Sequence, residues 1–271
     1  MLENIQKSRV SFLLILLLLL IGCDKSTQPD KHPDKIAVYN GFGVWNESAV
    51  ATKHCLEEAE RTVDYITEGD VQQSLRGYGL IIFPGGDPLQ MLSMLGYTGR
   101  QNLIDFIGSG GGFIGLGGGA YLAADSISFH GSTSLDSALA LFQGYASGPI
   151  SQIAASGYTL TQINLVDQWL NPTALPSLTT LYSGEFGGPH LVISMPTDHI
   201  VIATFNSAPE LSAAVMFQYG YGRVVLSAVQ PEFEENDDCD GSDFAAELLD
   251  PDSEWFWLQA MAEWALWERQ N

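Results

Sequence analysis

The stretch Gly111–Ala124, GGFIGLGGGAYLAA, constrains this chain more than any other. Phe113, Ile114 and Leu116 suit a central buried strand, and the glycines that follow permit the sharp positive-φ turn by which a strand passes into a helix and presents one residue at the sheet edge. Turns of this shape usually carry a nucleophile. Here the presented residue is Gly117, and no reactive side chain stands at the turn.

The rest of the chain supplies the frame for such an elbow. At 271 residues and 46% hydrophobic content it can bury one sizeable core. In the first half, β-prone Lys35–Asn40, helical spacing over Glu47–Thr62, the apolar run Leu80–Phe83, and a helix and strand across Leu103–Leu116 alternate as β-α-β-α. That alternation predicts an α/β fold of three layers, a mostly parallel central sheet with helices on both faces in the flavodoxin-like manner. The second half changes character. Gly157–Leu165, Leu191–Met195, His199–Phe205, Ala213–Tyr219 and Arg223–Val229 are short β-prone runs between turn signals, which predicts an antiparallel β extension that returns one strand to the main sheet.

The N-terminus reads as an export signal. Lys7 and Arg9 precede an apolar run from Phe12 to Ile21 that ends at Gly22-Cys23, so residues 1–22 are expected to be a lipoprotein signal peptide. A membrane-spanning helix needs roughly twenty apolar residues, about twice this run. The pattern resembles bacterial lipoproteins, which implies lipidation at Cys23 and an anchor on the periplasmic face of a cell membrane; Asp24 resembles an inner-membrane retention signal, and inner versus outer membrane stays open. Residues 23–34, polar and Pro-containing, read as a tether, and 35–271 as the folded domain. Loss of the leader changes the formal net charge from −21 to −22. A surface this acidic repels nucleic acid and anionic headgroups, so the lipid is expected to be the only membrane contact. Cys55 and Cys239 remain, and in an oxidising compartment a disulfide between them is expected ahead of two buried thiols.

Four segments occur in the order found in class I glutamine amidotransferase-like domains: Val38-Tyr39-Asn40-Gly41-Phe42-Gly43, Phe83-Pro84-Gly85-Gly86-Asp87, Gly115–Tyr121 and Gln230-Pro231-Glu232. With Leu141–Gly144 and Gly148-Pro149-Ile150 added, the chain resembles the branch named after the N-terminal domain of biotin-protein ligases, over about Lys35–Phe233. In that superfamily the elbow holds a cysteine, a histidine opens the late motif, and a glutamate two positions on orients the histidine. This chain has Gly117 and Gln230 at the first two positions and keeps only Glu232. A glycine forms no thioester and a carboxamide does not titrate near neutrality, so amide hydrolysis by that route is excluded. The resemblance implies a remaining pocket framed by Tyr39, Asn40, Gly85, Gly86, Asp87, Gly117, Gly118, Gln230 and Glu232, whose backbone amides face the place of an oxyanion. Ser109 and Ser126 lie on the wrong sides of the turn to replace Gly117, and the histidines show no close metal-ligand spacing.

The last unusual feature is the acidic loop 232–254, eleven carboxylates without a basic residue. Within it Asn236, Asp238, Asp240, Ser242 and Glu247 have imperfect calcium-loop spacing around Gly241, and a solvated acidic loop is the favoured alternative. No other cofactor is expected. A C-terminal helix is expected over 254–269, with tryptophans too widely spread for one buried stripe. Three functions fit: a catalytically silent, lipid-anchored module binding a small molecule or protein; an envelope hydrolase or transferase using Glu232 or Asp87; or a structural envelope protein.

Overall fold

In the first half of the chain, strands β1 (Ile36–Tyr39), β2 (Val63–Ile66), β3 (Leu80–Phe83) and β4 (Gly112–Leu116) alternate with helices α1 (Asn46–Glu58), α2 (Glu68–Gln73) and α3 (Pro88–Gly108). The computed structural model describes residues 33–135, 138–166, 177–195, 199–234, 240–250 and 252–266. Strand β3, Leu-Ile-Ile-Phe, is buried at every position because both of its faces are covered. Odd and even residues of the strands separate cleanly. Ile36, Val38, Leu80, Ile82 and Ile114 pack with Ala49, Cys55 and Leu56 of α1. Ala37, Tyr39, Ile81, Phe83 and Phe113 pack with Val71, Met91, Leu95 and Leu103 of α2 and α3. This is the expected three-layer arrangement.

After the elbow come β5 (Ser126–Phe129), β6 (Ser132–Leu135), β7 (Gln143–Gly148), β8 (Tyr158–Leu165), β9 (Leu178–Ser183), β10 (His190–Met195), β11 (Ile200–Phe205), β12 (Ser212–Tyr219) and β13 (Gly222–Ser227), then helix α4 (Trp255–Leu266). The main sheet runs β2-β1-β3-β4-β13-β12-β11-β8-β9. Pairings are parallel from β2 to β13 and antiparallel from β13 onward, so β13 is the returning strand. A two-residue turn at Gly220, φ +59°, joins β12 to β13. A separate sheet, β10-β7-β5-β6, lays Ile127, Phe129 and Ala146 toward the core face that also holds Val215 and Phe217 of β12. Helix α4 lies on the α1 side, where Trp257, Leu258 and Met261 enter the core.

Local chemistry explains the ends of the elements. Asp87 caps α3, its Oδ1 accepting from the amides of Leu89 and Gln90, and Pro88 takes the first helical position. Thr67 and Asp70 form a capping box that starts α2.

Several expectations shift. The helix expected to reach Thr62 ends at Glu58, because Val63–Ile66 leaves to form an edge strand beside β1. Strand β11 starts at Ile200 rather than His199. The helix expected after the elbow takes the form of a short 3-10 helix, Gly117–Ala123. The strands β5, β6, β7 and β9 lacked a signal, since segments such as Ser-Thr-Ser-Leu carry no apolar alternation. Of the expected tail helix, Trp255–Leu266 is formed and 267–269 lies outside the described residues. Trp257 is buried, Trp255 is half-buried, and Trp264, also half-buried, carries the Arg223 guanidinium 5.0 Å from its ring centroid.

Candidate functional site

The elbow forms at the C-terminal end of β4, where Gly117 adopts φ +49°. Gly118 and Gly119 are required by close approach rather than by turn geometry. A Cβ on Gly118 would stand 2.0 Å from the Gly86 carbonyl oxygen, and one on Gly119 would stand 1.9 Å from that of Phe83. The β3–α3 turn is therefore packed directly onto the glycine run, backbone against backbone.

The position where a nucleophile would project is occupied. A Cβ on Gly117 would lie 2.6 Å from Gln230 Nε2 and 2.8 Å from the Phe186 carbonyl oxygen. Gln230 is wholly buried; its Oε1 accepts from the Ser183 amide at 3.2 Å and its Nε2 donates to the Phe186 carbonyl at 3.3 Å. It pins the turn after β9 over the elbow. An imidazole at this position would poise a proton, whereas this carboxamide satisfies two backbone groups and titrates nothing.

Glu232 has a different environment. Ser48 on α1 donates from Oγ to Glu232 Oε1 at 2.5 Å and accepts from the Gly85 amide at 2.8 Å. The Gly85 amide, expected to face an oxyanion, is thus spent on Ser48. Among the described residues no hydrogen-bond partner reaches Glu232 Oε2, and the side chain is fully buried. Burial is the largest cause that pushes its carboxyl up to about 8; the Ser48 and backbone hydrogen bonds oppose the shift and the Asp240 charge adds to it. Ser48 and Glu232 form a hydroxyl–carboxyl pair that substrate cannot reach, since both have no exposed surface.

Aromatic rings close the same end of the sheet. Trp45 meets Phe186 at 5.3 Å, Phe233 at 5.0 Å and Phe244 at 4.5 Å between centroids. Trp45 and Ser48, three residues apart at the start of α1, bring one ring and one hydroxyl to this face. Sequence reasoning missed Ser48, Trp45, Phe186, Phe233 and Phe244. The spacing of Trp45 and Ser48 after the Asn40–Gly43 loop was the available signal.

The other expected pocket residues are engaged as follows. Tyr39 is buried, stacks on Phe83 at 4.6 Å, and shares its one hydroxyl proton between the Phe42 carbonyl and Glu68; burial and Glu68 hold it well above an ordinary phenol. Asn40 is half-buried and its amide donates to the Ile66 carbonyl at 2.8 Å. Gly86, φ +145°, is buried against Gly43 and Trp45 on one side and Gly118 on the other. The Asp87 carboxylate is used in capping, with Oδ2 accepting from Gln90 Nε2. His54 is exposed, and His130 Nε2 lies 2.9 Å from the Glu185 carbonyl oxygen.

The disulfide expected between Cys55 and Cys239 has only Cys55 among the described residues. Cys55 is a free, buried thiol with Sγ 3.7 Å from the Trp255 carbonyl oxygen, and Cys239 lies outside the described residues. Burial and the charges of Glu232 and Glu234 hold that thiol protonated far above its usual range. Of the expected calcium ligands, Asn236 and Asp238 also lie outside the described residues. The others are engaged elsewhere: Asp240 accepts from the amides of Glu234 and Ser242, Ser242 Oγ from the Phe244 amide, and Glu247 pairs with the Tyr158 hydroxyl. Among the described residues the carboxylates that gather are Asp250, Asp252 and Glu254, with oxygens within 4.8 Å of one another. Cys23 and residues 1–32 lie outside the described residues, and among those described no helix is long and apolar enough to cross a membrane.

A family model described as biotin-protein ligase, N terminal, matches residues 34–250. No curated protein matches the chain. Among solved structures, a putative GMP synthase subunit from Thermoplasma acidophilum aligns over 87% of this chain and 97% of its own, at 13% identity and TM-score 0.51. The mmIFT52 N-terminal domain aligns over 88% of this chain and 100% of its own, at 10% identity and TM-score 0.51. Identities this low bear on the fold alone, which is that of class I amidotransferase-like domains.

Proposed function

Because the chain belongs to the biotin-protein ligase N-terminal family, we propose that it is a lipid-anchored member that does not hydrolyse amides and serves the cell envelope as a binding or structural module. The observation that carries this reading is the filled elbow: Gly117 faces the Gln230 carboxamide and the Phe186 carbonyl. Cysteine-based amide hydrolysis needs a thiolate, a base and room for a carboxamide. Here none of the three is provided at this position. A protein partner met at the surface suits such a domain better than a small molecule bound at the elbow. The lipid at Cys23, following residues 1–22 with their basic start and short apolar run, would hold the module at the periplasmic face.

The elbow reading is tested by the double change Gly117→Cys and Gln230→His. We expect a glutamine-mimicking thiol reagent to leave the introduced cysteine unlabelled, because the Phe186 carbonyl stays in its path. Labelling, or ammonia release from glutamine by the unaltered protein, overturns it. The anchor is tested separately, since Cys23→Ala should abolish incorporation of labelled palmitate and release the protein from membranes.

A further inference from the structure

Glu232 is the point where four parts of the molecule meet. Its carboxyl receives the Ser48 hydroxyl of α1, and through Ser48 it is linked to the Gly85 amide of the β3–α3 turn. Its carbonyl accepts from Trp255 Nε1 at the start of α4 at 2.9 Å. The next residue, Phe233, packs on Trp45 and on Phe244 of the acidic loop at 5.0 and 5.2 Å. Glu234, one step further, donates its amide to Asp240 and accepts from Ser253 at 2.5 Å. The buried carboxyl thus adjoins one set of the contacts that seat 240–250, those of Phe233 and Glu234, while Tyr158 of β8 holds the same stretch through Phe244 and Glu247.

Burial and a like charge make ionisation there unfavourable, and the Ser48 hydrogen bond opposes them only in part. From α1 come the Ser48 hydroxyl and the protonated Cys55 thiol, and from the β3–α3 turn a backbone amide. From the acidic loop come Glu234 and Asp240, and from α4 the Trp255 indole. His54 on α1 acts on Asp240 from the solvent side. Among the described residues the charge that acts on Glu232 is Asp240, and it is of like sign. A buried carboxylate with one neutral donor and a like charge nearby is relieved most directly by reaching water.

We propose that Glu232 is a proton-operated latch: while it carries its proton the stretch 240–250 stays seated through Phe244 on Trp45 and Phe233, and losing the proton releases that stretch and uncovers these rings. This regulates the closed face of the module proposed above, yet its readout is exposure of a segment and does not depend on amide chemistry or on binding.

The test is amide hydrogen exchange of the full chain in neutral detergent, corrected for intrinsic rates, followed over the peptides of 240–250. By linkage, a group that titrates near 4.5 when exposed and near 8 when buried makes loop opening rise about tenfold per pH unit between those values and level off above. Acrylamide quenching of tryptophan fluorescence should rise over the same range. Glu232→Gln keeps an acceptor for Ser48 and removes the proton, so its exchange should be flat with pH. A flat wild-type profile, or a Glu232→Gln profile that follows the wild type, overturns the latch. Should Glu232→Gln fail to fold, Asp240→Asn decides: it removes the like charge, so the levelling-off should move to lower pH, and an unmoved profile overturns the proposal.

Discussion

Gly117 and Glu232 stand at two of the three positions that the resemblance to glutamine amidotransferases matches to a catalytic triad, and the fold treats them in opposite ways. At Gly117 the space of a missing side chain is taken by neighbours, Gln230 and the Phe186 carbonyl, and the Gln230 carboxamide is bonded at both ends. At Glu232 a carboxyl remains, buried, with one oxygen bonded to Ser48 and the other without a hydrogen-bond partner among the described residues. A lost group can be absorbed by packing, because apolar and backbone atoms fill space cheaply. A buried carboxyl cannot be absorbed so simply, because its charge state stays coupled to the solvent.

The largest expected effect breaks the packed side of this comparison. Gly118→Ala would drive a methyl to within 2.0 Å of the Gly86 carbonyl oxygen, backbone that cannot yield without moving the β3–α3 turn. A loss of more than about 3 kcal/mol is expected, read as a fall in denaturation midpoint or failure to fold. Unchanged stability would mean that the two turns are not packed together. Gly117→Ala is milder. It meets the far end of Gln230 as well as a carbonyl at φ +49°, so about 1–3 kcal/mol is expected in urea unfolding. Gln230→Ala in the same chain should return part of that loss, a non-additivity that an independent pair would not show.

The carboxyl side is probed by pH. Glu232 is raised from 4.5 to about 8 on folding, so the folded state binds the extra proton between these values. Its contribution to stability is fully present below about 4.5 and is lost as pH rises toward 8, the reverse of an ordinary salt-bridged carboxylate. Glu232→Gln should remove this downward slope from denaturant midpoints measured between pH 5 and 8, and a persisting slope would assign the effect to another group. The smallest effect is at Asp87, read in the sequence as a pocket residue and a possible base. As a helix cap, its replacement by Ala should cost about 1 kcal/mol and leave the pH profile untouched.

Much of the fold was legible because its signals are local. The alternation of Leu80–Phe83 and Phe113–Leu116 with helical spacings, and the glycines after β4, are set by side-chain burial and backbone sterics within a few residues. The polar strands β5 and β6 were not legible, since Ser126–Phe129 and Ser132–Leu135 become strands only by pairing with each other, with β7 bordering β5. The acidic loop was read as a solvated stretch with calcium-like spacing. In the structure Asp240 turns inward to backbone amides and is fully buried, as are Glu232 and Glu254.

The sequence by itself determined that Gly117 supplies no thiolate and Gln230 no base at its own position, because those capacities belong to side-chain chemistry and no fold can add them there. Whether the emptied position stays open was decided only by tertiary structure. Ser48, Phe186 and Phe244 lie 69, 69 and 127 residues from the elbow along the chain, and nothing local to any of them specifies that they meet. The packing of α1, the turn after β9 and the acidic loop onto the end of the sheet brings them there, and with them the burial that keeps a proton on Glu232.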